Sequence, residues 1–472
     1  MTGLLATSST AVDLARAQFA TTSIYHFLFV PLTLGLGPIV ATFQTLWLRT
    51  KDERWLRLTR FFGTLFLINF AIGVATGLVQ EFQFGMNWSI YSRFVGNVFG
   101  APLAIEGIAA FFLESTFLGL WIFGWHILSP RLHLAVLWIA VVGTWLSAYF
   151  ILVANSFMQD PVGYKIVNGQ AQLTSVWHLL SSRWALYAFG HTILAGLTAG
   201  AAVVFGVCCW HLVRGRNADT FLPAAKVALI VLVPVSCVNL WFGSHFGILV
   251  TELQPMKISA AEALWDTQQP ASFSLFQIGG FTASDPTPSF SVEVPGLLSY
   301  LSTGSFHGTV QGLNQLNQQE QAKYGPGNYI PPVEALYWSM RGMAYAGSAV
   351  ALVAVVGAFL YWRRRLERLR WFLWLGVAAT FLPFVACAFG WVLTEVGRQP
   401  WIVQGLLETS KANSPNVSTT WLVISLAVFV TLYLALLVVD FWLMRRYAEL
   451  DPTGTPEEGA EAAPAAAAVV GY

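Results

Sequence analysis

"GAPLAIEGIAAFFLEST", residues 100–116, sets Glu106 and Glu114 into a run of Pro, Leu, Ile, Ala and Phe. The stretch reads as the inside of a membrane that carries two carboxylates. A charged side chain at the centre of a spanning helix costs about 2.5–3.5 kcal/mol, and each Leu, Ile or Phe returns about 0.3–0.6. The apolar residues around them can therefore carry both glutamates into the bilayer, with little margin. On a regular α-helix, positions eight apart differ by about 80° in azimuth. The two carboxylates are thus expected on one broad face, two turns apart, turned toward a bundle interior or a water-lined path. They could serve as a proton route or face a metal, or they could be protonated groups hydrogen-bonded to neighbouring helices.

The rest of the chain agrees with that solvent. Of 472 residues, 56% are hydrophobic and 10% charged, and the mean hydropathy is +0.60. A soluble domain has about a quarter of its residues charged, so the chain belongs mostly in lipid. A net charge of +1 argues against nucleic acid as a partner. Cys208, Cys209, Cys237 and Cys387 lie in apolar segments without metal-site spacing and read as small hydrophobes.

Windows of about 20 apolar residues predict an all-α integral membrane protein with nine transmembrane helices. They fall at 19–48, 61–80, 101–125, 133–155, 185–213, 224–250, 336–362, 371–394 and 419–444. Residues 1–18 are expected to be a short interfacial lead-in without the basic start of a cleaved signal. The Lys/Arg bias orients the spans. Sixteen of the 25 basic residues, among them Arg49, Arg57, Arg131, Arg214 and Arg363–Arg365, fall in alternate connections or after the last span. That side is read as cytoplasmic, which puts the N-terminus outside and the C-terminus inside. The expected organisation is six spans (1–251), a long extracytoplasmic connection (252–335), three spans (336–450) and an Ala/Pro/Glu-rich disordered tail (451–472).

Several other residues carry chemistry into this setting. His26 lies in "TTSIYHFLFVPLTL", and His191 lies in "YAFGHTILAGLTAG" near the start of the fifth span. The small residues Gly190, Ala195, Gly196 and Gly200 beside His191 are expected to form a groove for a flat macrocycle. Met343 is the other soft ligand, and His/Met axial ligation holds haem iron at a raised potential suited to electron transfer. Each could equally be a packing residue. In "GWVLTEVGRQPW", residues 390–401, Trp391 and Glu395 share a helical face. Arg398 follows where Pro400 ends the helix. This cluster can bind iron, a propionate and a ring face, or Glu395 and Arg398 can pair as a buried salt bridge. In the long connection, Lys257, Glu262 and Trp265 offer a cation, a carboxylate and a flat wall, the combination a quinol headgroup needs. Alone, the same residues describe an amphipathic loop helix.

"YHFLFVPLTLG", "NFAIGVATGLVQEFQFGMNWS", "FGAPLAIEGIAAFFLEST", "ILVANSFMQ" and "GRQPW" together resemble subunit I of cytochrome bd-type quinol oxidases, over about Leu14 to Leu450. The resemblance implies oxidation of a membrane quinol, menaquinol or ubiquinol, and reduction of dioxygen to water in the bacterial plasma membrane. It implies three haems: a low-spin haem b, a high-spin haem b and haem d, or a third haem b in a cyanide-insensitive relative. His191 and Met343, with Arg341 nearby, match the low-spin ligands. His26 and Glu395 match the ligands of the oxygen-reducing pair, which macrocycle each binds being left open, and Glu106 matches a carboxylate close to iron. Trp391, Arg398 and Arg16 match cofactor-contacting residues. Glu114, Ser115 and Ser147 match the family's polar proton route, and Lys257 and Glu262 its quinol site in a loop of the shorter kind. A homologous subunit II is the implied partner, with small single-helix subunits as further candidates. The competing readings are a proton-coupled transporter, which leaves His191, Met343 and "GRQPW" unexplained, and a structural haem subunit whose chemistry lies on a partner.

Overall fold

The computed structural model describes residues 9–452; the first eight residues and the tail from 453, including most of the segment expected to be disordered, lie outside the described residues. Among the described residues, nine helices are long and apolar enough to cross a membrane. They are Thr10–Thr50, Glu53–Met86, Ser89–His126, Pro130–Gln159, Val176–Val213, Ala218–Leu253, Val333–Trp362, Arg370–Val396 and Thr419–Glu449. Helix starts follow local chemistry. Asp52, Ser129, Ser182 and Ser418 each accept a bond from a first-turn backbone N–H, which satisfies donors that have no partner inside the helix. Pro130 then occupies the first helical turn, where its missing N–H costs nothing.

Most spans extend beyond the hydropathy reading, and two of the differences have a clear local cause. The first helix runs unbroken from Ser9, so residues 9–18 of the expected lead-in are part of the first span; Ala11 and Ala15 bury one side of it. The third span begins at Ser89. Ser92, Arg93 and Asn97 dilute its early turns below a membrane-like average while leaving the helix intact.

The small-residue stripe of the fifth span is filled by protein. A methyl group on Gly35 would lie 1.8 Å from the Gly196 carbonyl oxygen, and one on Gly200 would lie 2.3 Å from the Gly35 carbonyl carbon. Gly196 and Gly200 therefore admit the backbone of the first span, the packing mode that small residues support between membrane helices. The space expected for a macrocycle along Gly196 and Gly200 is taken by the first span.

Two apolar cores lie along the bundle. One joins Leu36, Phe43, Phe62, Phe66, Phe205 and Phe221, and the other joins Trp88, Tyr91, Phe99, Val153 and Phe157. Intermediate turns of the same spans line a cavity described below. The long connection is a folded cap with helices Pro255–Ala261, Leu297–Thr303 and Leu313–Tyr324. An antiparallel hairpin pairs Phe273–Gly279 with Pro288–Val294. Met256, Trp265, Leu313, Leu316 and Tyr329 form its apolar centre, completed by Trp401 from beyond the eighth span.

Candidate functional site

Glu106 opens a π-helical turn, Glu106–Phe111, within the third span. Such a turn winds in about one residue more than an α-helix. The offset between Glu106 and Glu114 therefore falls from about 80° to about 20°. Both carboxylates now face one cavity of about 360 Å³, shared with His26, Ser147, Trp391 and Glu395. Their residues are 8% and 6% exposed, so neither meets the surrounding lipid.

Each group has a defined partner. Ser147 Oγ donates to Glu106 Oε1 at 2.6 Å. Thr144 Oγ1 lies 3.0 Å from Glu114 Oε1. Ser115, by contrast, bonds the carbonyl of Phe112 in its own helix at 3.3 Å and stands outside this network. Glu395 is held on both oxygens. Oε1 accepts from Asn155 Nδ2 at 2.8 Å and Gln159 Nε2 at 3.2 Å, and Oε2 accepts from Arg398 Nη2 at 2.6 Å. The ion pair expected of Glu395 and Arg398 is thus present. A metal ligated by Glu395 would have to share these donors. The aromatic face of Trp391 stacks on Phe27, with ring centroids 4.9 Å apart.

The histidines differ in their second contacts. Thr76 Oγ1 donates to carbonyls of its own helix, Ile72 and Gly73, so toward His26 Nδ1, 2.9 Å away, it acts as acceptor. That arrangement puts the ring proton on Nδ1 and leaves the Nε2 lone pair for a metal, as second contacts do in metal sites. His191 and Met343 lie outside this cavity. Gly243 faces the His191 ring, where a methyl group would sit 3.1 Å from Cε1, and Gly390 faces Met343 Sδ at 3.0 Å by the same measure. The His191 ring is buried beside the Asn239 side chain.

A second cavity, of about 290 Å³, is lined by Arg16, Trp88, Tyr91, Trp391, Glu395 and Arg398. Arg398 Nη1, Tyr91 OH and Trp88 Nε1 are buried there without partners. Three unsatisfied donors facing an apolar hollow are costly unless an acceptor completes them. The donor set suits a carboxylate-bearing, flat ligand. Together with the free His26 Nε2, these residues fit an iron porphyrin with its propionates.

Lys257, Glu262 and Trp265 do not converge on one open pocket. Lys257 Nζ donates to Gln159 Oε1 at 2.7 Å and to the Thr394 carbonyl at 3.0 Å. Its burial, reinforced by the Arg398 guanidinium and opposed by Glu395, holds the amine well below the usual lysine range. Glu262 pairs with Arg341, Oε2 to Nη2 at 2.6 Å. Burial nevertheless lifts its carboxyl to about 7 against the pull of that guanidinium. Trp265 Nε1 donates to the Gly280 carbonyl inside the cap.

Sequence reasoning missed Thr76, Glu81, Thr144, Asn155 and Gln159. Glu81, Thr144 and Asn155 line the larger cavity, while Thr76 and Gln159 stand behind it and bond His26 and Glu395, which line it. One signal for the fourth-span residues was available. Thr144, Ser147, Asn155 and Gln159 fall within about 120° of helix circumference, a polar stripe on a largely apolar span.

Comparison with known proteins bears on what this arrangement is for. The family model described as cytochrome bd terminal oxidase subunit I matches residues 14–452. The chain is 44% identical over 427 residues to cytochrome bd ubiquinol oxidase subunit 1 of Bacillus subtilis (strain 168), covering 90% of each. It is 35% identical over 505 residues to cytochrome bd-II ubiquinol oxidase subunit 1 of Escherichia coli (strain K12), covering 95% of this chain and 98% of that one. Among solved structures, the bd oxidase from Geobacillus thermodenitrificans superposes with a TM-score of 0.84 at 26% identity, covering 93% of this chain and 98% of that one. These matches leave no room for the transporter reading. A membrane bundle that turns two histidines, a methionine and three carboxylates inward, matched from end to end by one family, has a single assignment: the chain belongs to the cytochrome bd terminal oxidase subunit I family.

Proposed function

We propose that this chain, as subunit I of a quinol:oxygen oxidoreductase, oxidises a membrane quinol at its capped end and delivers protons from the opposite side to a buried oxygen-reducing site. The observation that carries this reading is the single cavity lined by His26, Glu106, Glu114, Ser147, Trp391 and Glu395. Haem, when bound, supplies the iron that accepts single electrons and passes them to dioxygen. His26 would offer Nε2 to one iron and Glu395 a carboxylate oxygen to another, while His191 and Met343 would serve the low-spin haem. Arg398 and Arg16 would receive propionates, and the face of Trp391 not stacked on Phe27 would flank a macrocycle.

Reducing one dioxygen to two waters takes four electrons and four protons. Protons need groups that bind and release them, and a carboxylic acid sunk in an apolar bundle holds a proton more readily than one in water. Glu114 receives a proton and passes it to Glu106, the two being turned to one face by the π-helical turn; Thr144 and Ser147 orient the carboxyl groups. Ser115 has no part in this path, because its hydroxyl is spent on its own helix. Quinol oxidised at the cap releases its protons there. The two half-reactions on opposite sides then separate charge without a pump. A homologous second subunit completes the enzyme.

The test uses the purified two-subunit enzyme, followed by absorption spectra during redox titration and by quinol-driven oxygen uptake. Glu395→Gln and His26→Ala should each remove or shift one high-spin haem signal and leave the low-spin signal intact. Glu114→Gln should slow oxygen reduction with all haem signals retained. A colourless protein, or full activity in Glu114→Gln, overturns the proposal.

A further inference from the structure

Gln159 ends the fourth span and is 1% exposed. Its carboxamide stands between two groups that otherwise belong to separate parts of the molecule. On one side Oε1 accepts from Lys257 Nζ of the cap at 2.7 Å. On the other side Nε2 donates to Glu395 Oε1 in the eighth span at 3.2 Å. The backbone carbonyl of Gln159 accepts from Gln254 Nε2 at the foot of the cap. Lys257 also bonds the Thr394 carbonyl beside Glu395, but its hydrogen-bonded link to the Glu395 carboxylate itself runs through the one neutral side chain of Gln159.

The orientation of that carboxamide is fixed by its neighbours. Turned over, its NH2 group would meet the N–H of Lys257, and its oxygen would meet the carboxylate of Glu395. Both contacts would be lost and replaced by repulsion inside a buried site, where an unmet polar group costs about 1–3 kcal/mol. Lys257 thus selects the orientation in which Gln159 gives a hydrogen bond to Glu395. Asn155 and Arg398 also hold Glu395, but neither touches the cap through a hydrogen bond of its side chain.

We infer that Gln159 is a positioning residue that couples the cap to Glu395, so that the anchoring of Lys257 sets how strongly the Glu395 carboxylate donates to its metal. The inference rests on the reading of Glu395 as a haem ligand. A hydrogen bond given to a ligating carboxylate draws electron density from it. Losing that bond makes the ligand a better donor and favours the oxidised metal. The coupling makes a change at the cap register at the redox centre with no movement of either helix.

The experiment is a mediator-based redox titration of the two-subunit enzyme, which needs no quinol turnover. Gln159→Met removes both contacts at nearly constant length, and Gln159→Glu keeps the Lys257 contact while setting a second carboxylate against Glu395. Both should lower the midpoint of the Glu395-side haem, Gln159→Glu the more. The expected size is a tenfold change in oxidised-to-reduced ratio at fixed potential, about 59 mV for one electron. The low-spin haem should keep its midpoint. Lys257→Met should lower the same midpoint in the parent enzyme and add nothing in the Gln159→Met background, the non-additivity expected of one connected pair. Should Gln159→Met fail to assemble, Gln159→Glu decides on the same readings. Unchanged midpoints, equal shifts at every haem, or additive effects of Lys257→Met and Gln159→Met overturn the inference. If Glu395→Gln leaves all haem spectra unaltered, the fault lies instead with the ligand assignment.

Discussion

Arg341 Nη2 lies 2.6 Å from Glu262 Oε2, and the two side chains are 2% and 3% exposed, so the seventh span and the cap are joined by an ion pair shut away from water. The same guanidinium bonds the carbonyls of Ala261 and Ser274 and lies over the Tyr337 ring at 3.6 Å. One side chain thereby fastens the short helix and the hairpin of the cap to the membrane bundle.

Removing one partner of such a pair leaves the other buried and uncompensated, a loss of about 3–5 kcal/mol. Arg341→Met should therefore loosen the cap. Hydrogen exchange over 255–262 and 273–279 should quicken by two orders of magnitude or more, while exchange in the spans stays slow. The double change Arg341→Met with Glu262→Met should recover part of the loss, because it leaves no lone charge.

The same pair gives the cap a pH dependence. The ordinary carboxyl value is 4.5, and burial raises that of Glu262 to about 7. A raised acid binds its proton more tightly in the docked state, so docking gains as pH falls from about 7 toward 4.5 and weakens as pH rises through 7. Proteolytic nicking of the cap should thus be slower at pH 5.5 than at pH 8. In Glu262→Gln the difference should shrink to that of the surrounding loops; an undiminished difference would assign the effect to another group.

Thr144 and Ser115 make a paired test of the proton path. Thr144→Val removes a hydroxyl that touches Glu114, at a cost of about 1 kcal/mol, or roughly fivefold in a step that uses that carboxyl. Ser115→Ala removes a hydroxyl bonded to its own helix and should leave the rate within error. Oxygen uptake with an excess of artificial quinol reads both, and a slower Ser115→Ala enzyme would restore that residue to the path.

Thr76 is expected to matter for cofactor retention. It fixes the His26 ring through Nδ1, and loss of such a second contact lowers metal affinity by about 10–100-fold. Thr76→Val enzyme should lose haem from one high-spin site on dilution in detergent, followed by its absorption, while the His191 site stays filled.

The nine spans were legible because lipid leaves a coarse signature: twenty apolar residues are hard to mistake. The ionisable residues were legible for the same reason, since Glu106, Glu114, His26 and Glu395 stand out against such a background. Their neutral partners were harder. Thr144, Asn155 and Gln159 are unremarkable singly, and their meaning arises from a shared face and from groups far away in sequence. Gly196 and Gly200 promised space, and space was there, but composition does not say whether a macrocycle or another helix fills it. The roles of Lys257 and Glu262 looked like one site because they are five residues apart, whereas their side chains part company and bond to different spans.

The π-helical turn at Glu106–Phe111 has a consequence for how this span tolerates change in length. Elsewhere in a regular membrane helix a deleted residue would turn everything beyond it by about 100° relative to what precedes it. Deleting one residue between Gly107 and Ala110 would restore ordinary winding locally and preserve the alignment of everything beyond only by discarding the widened loop of backbone. One residue added there, conversely, would swing Glu114 about 100° away from Glu106. The third span thus keeps its two carboxylates in step by a count of residues, and not by their chemistry alone.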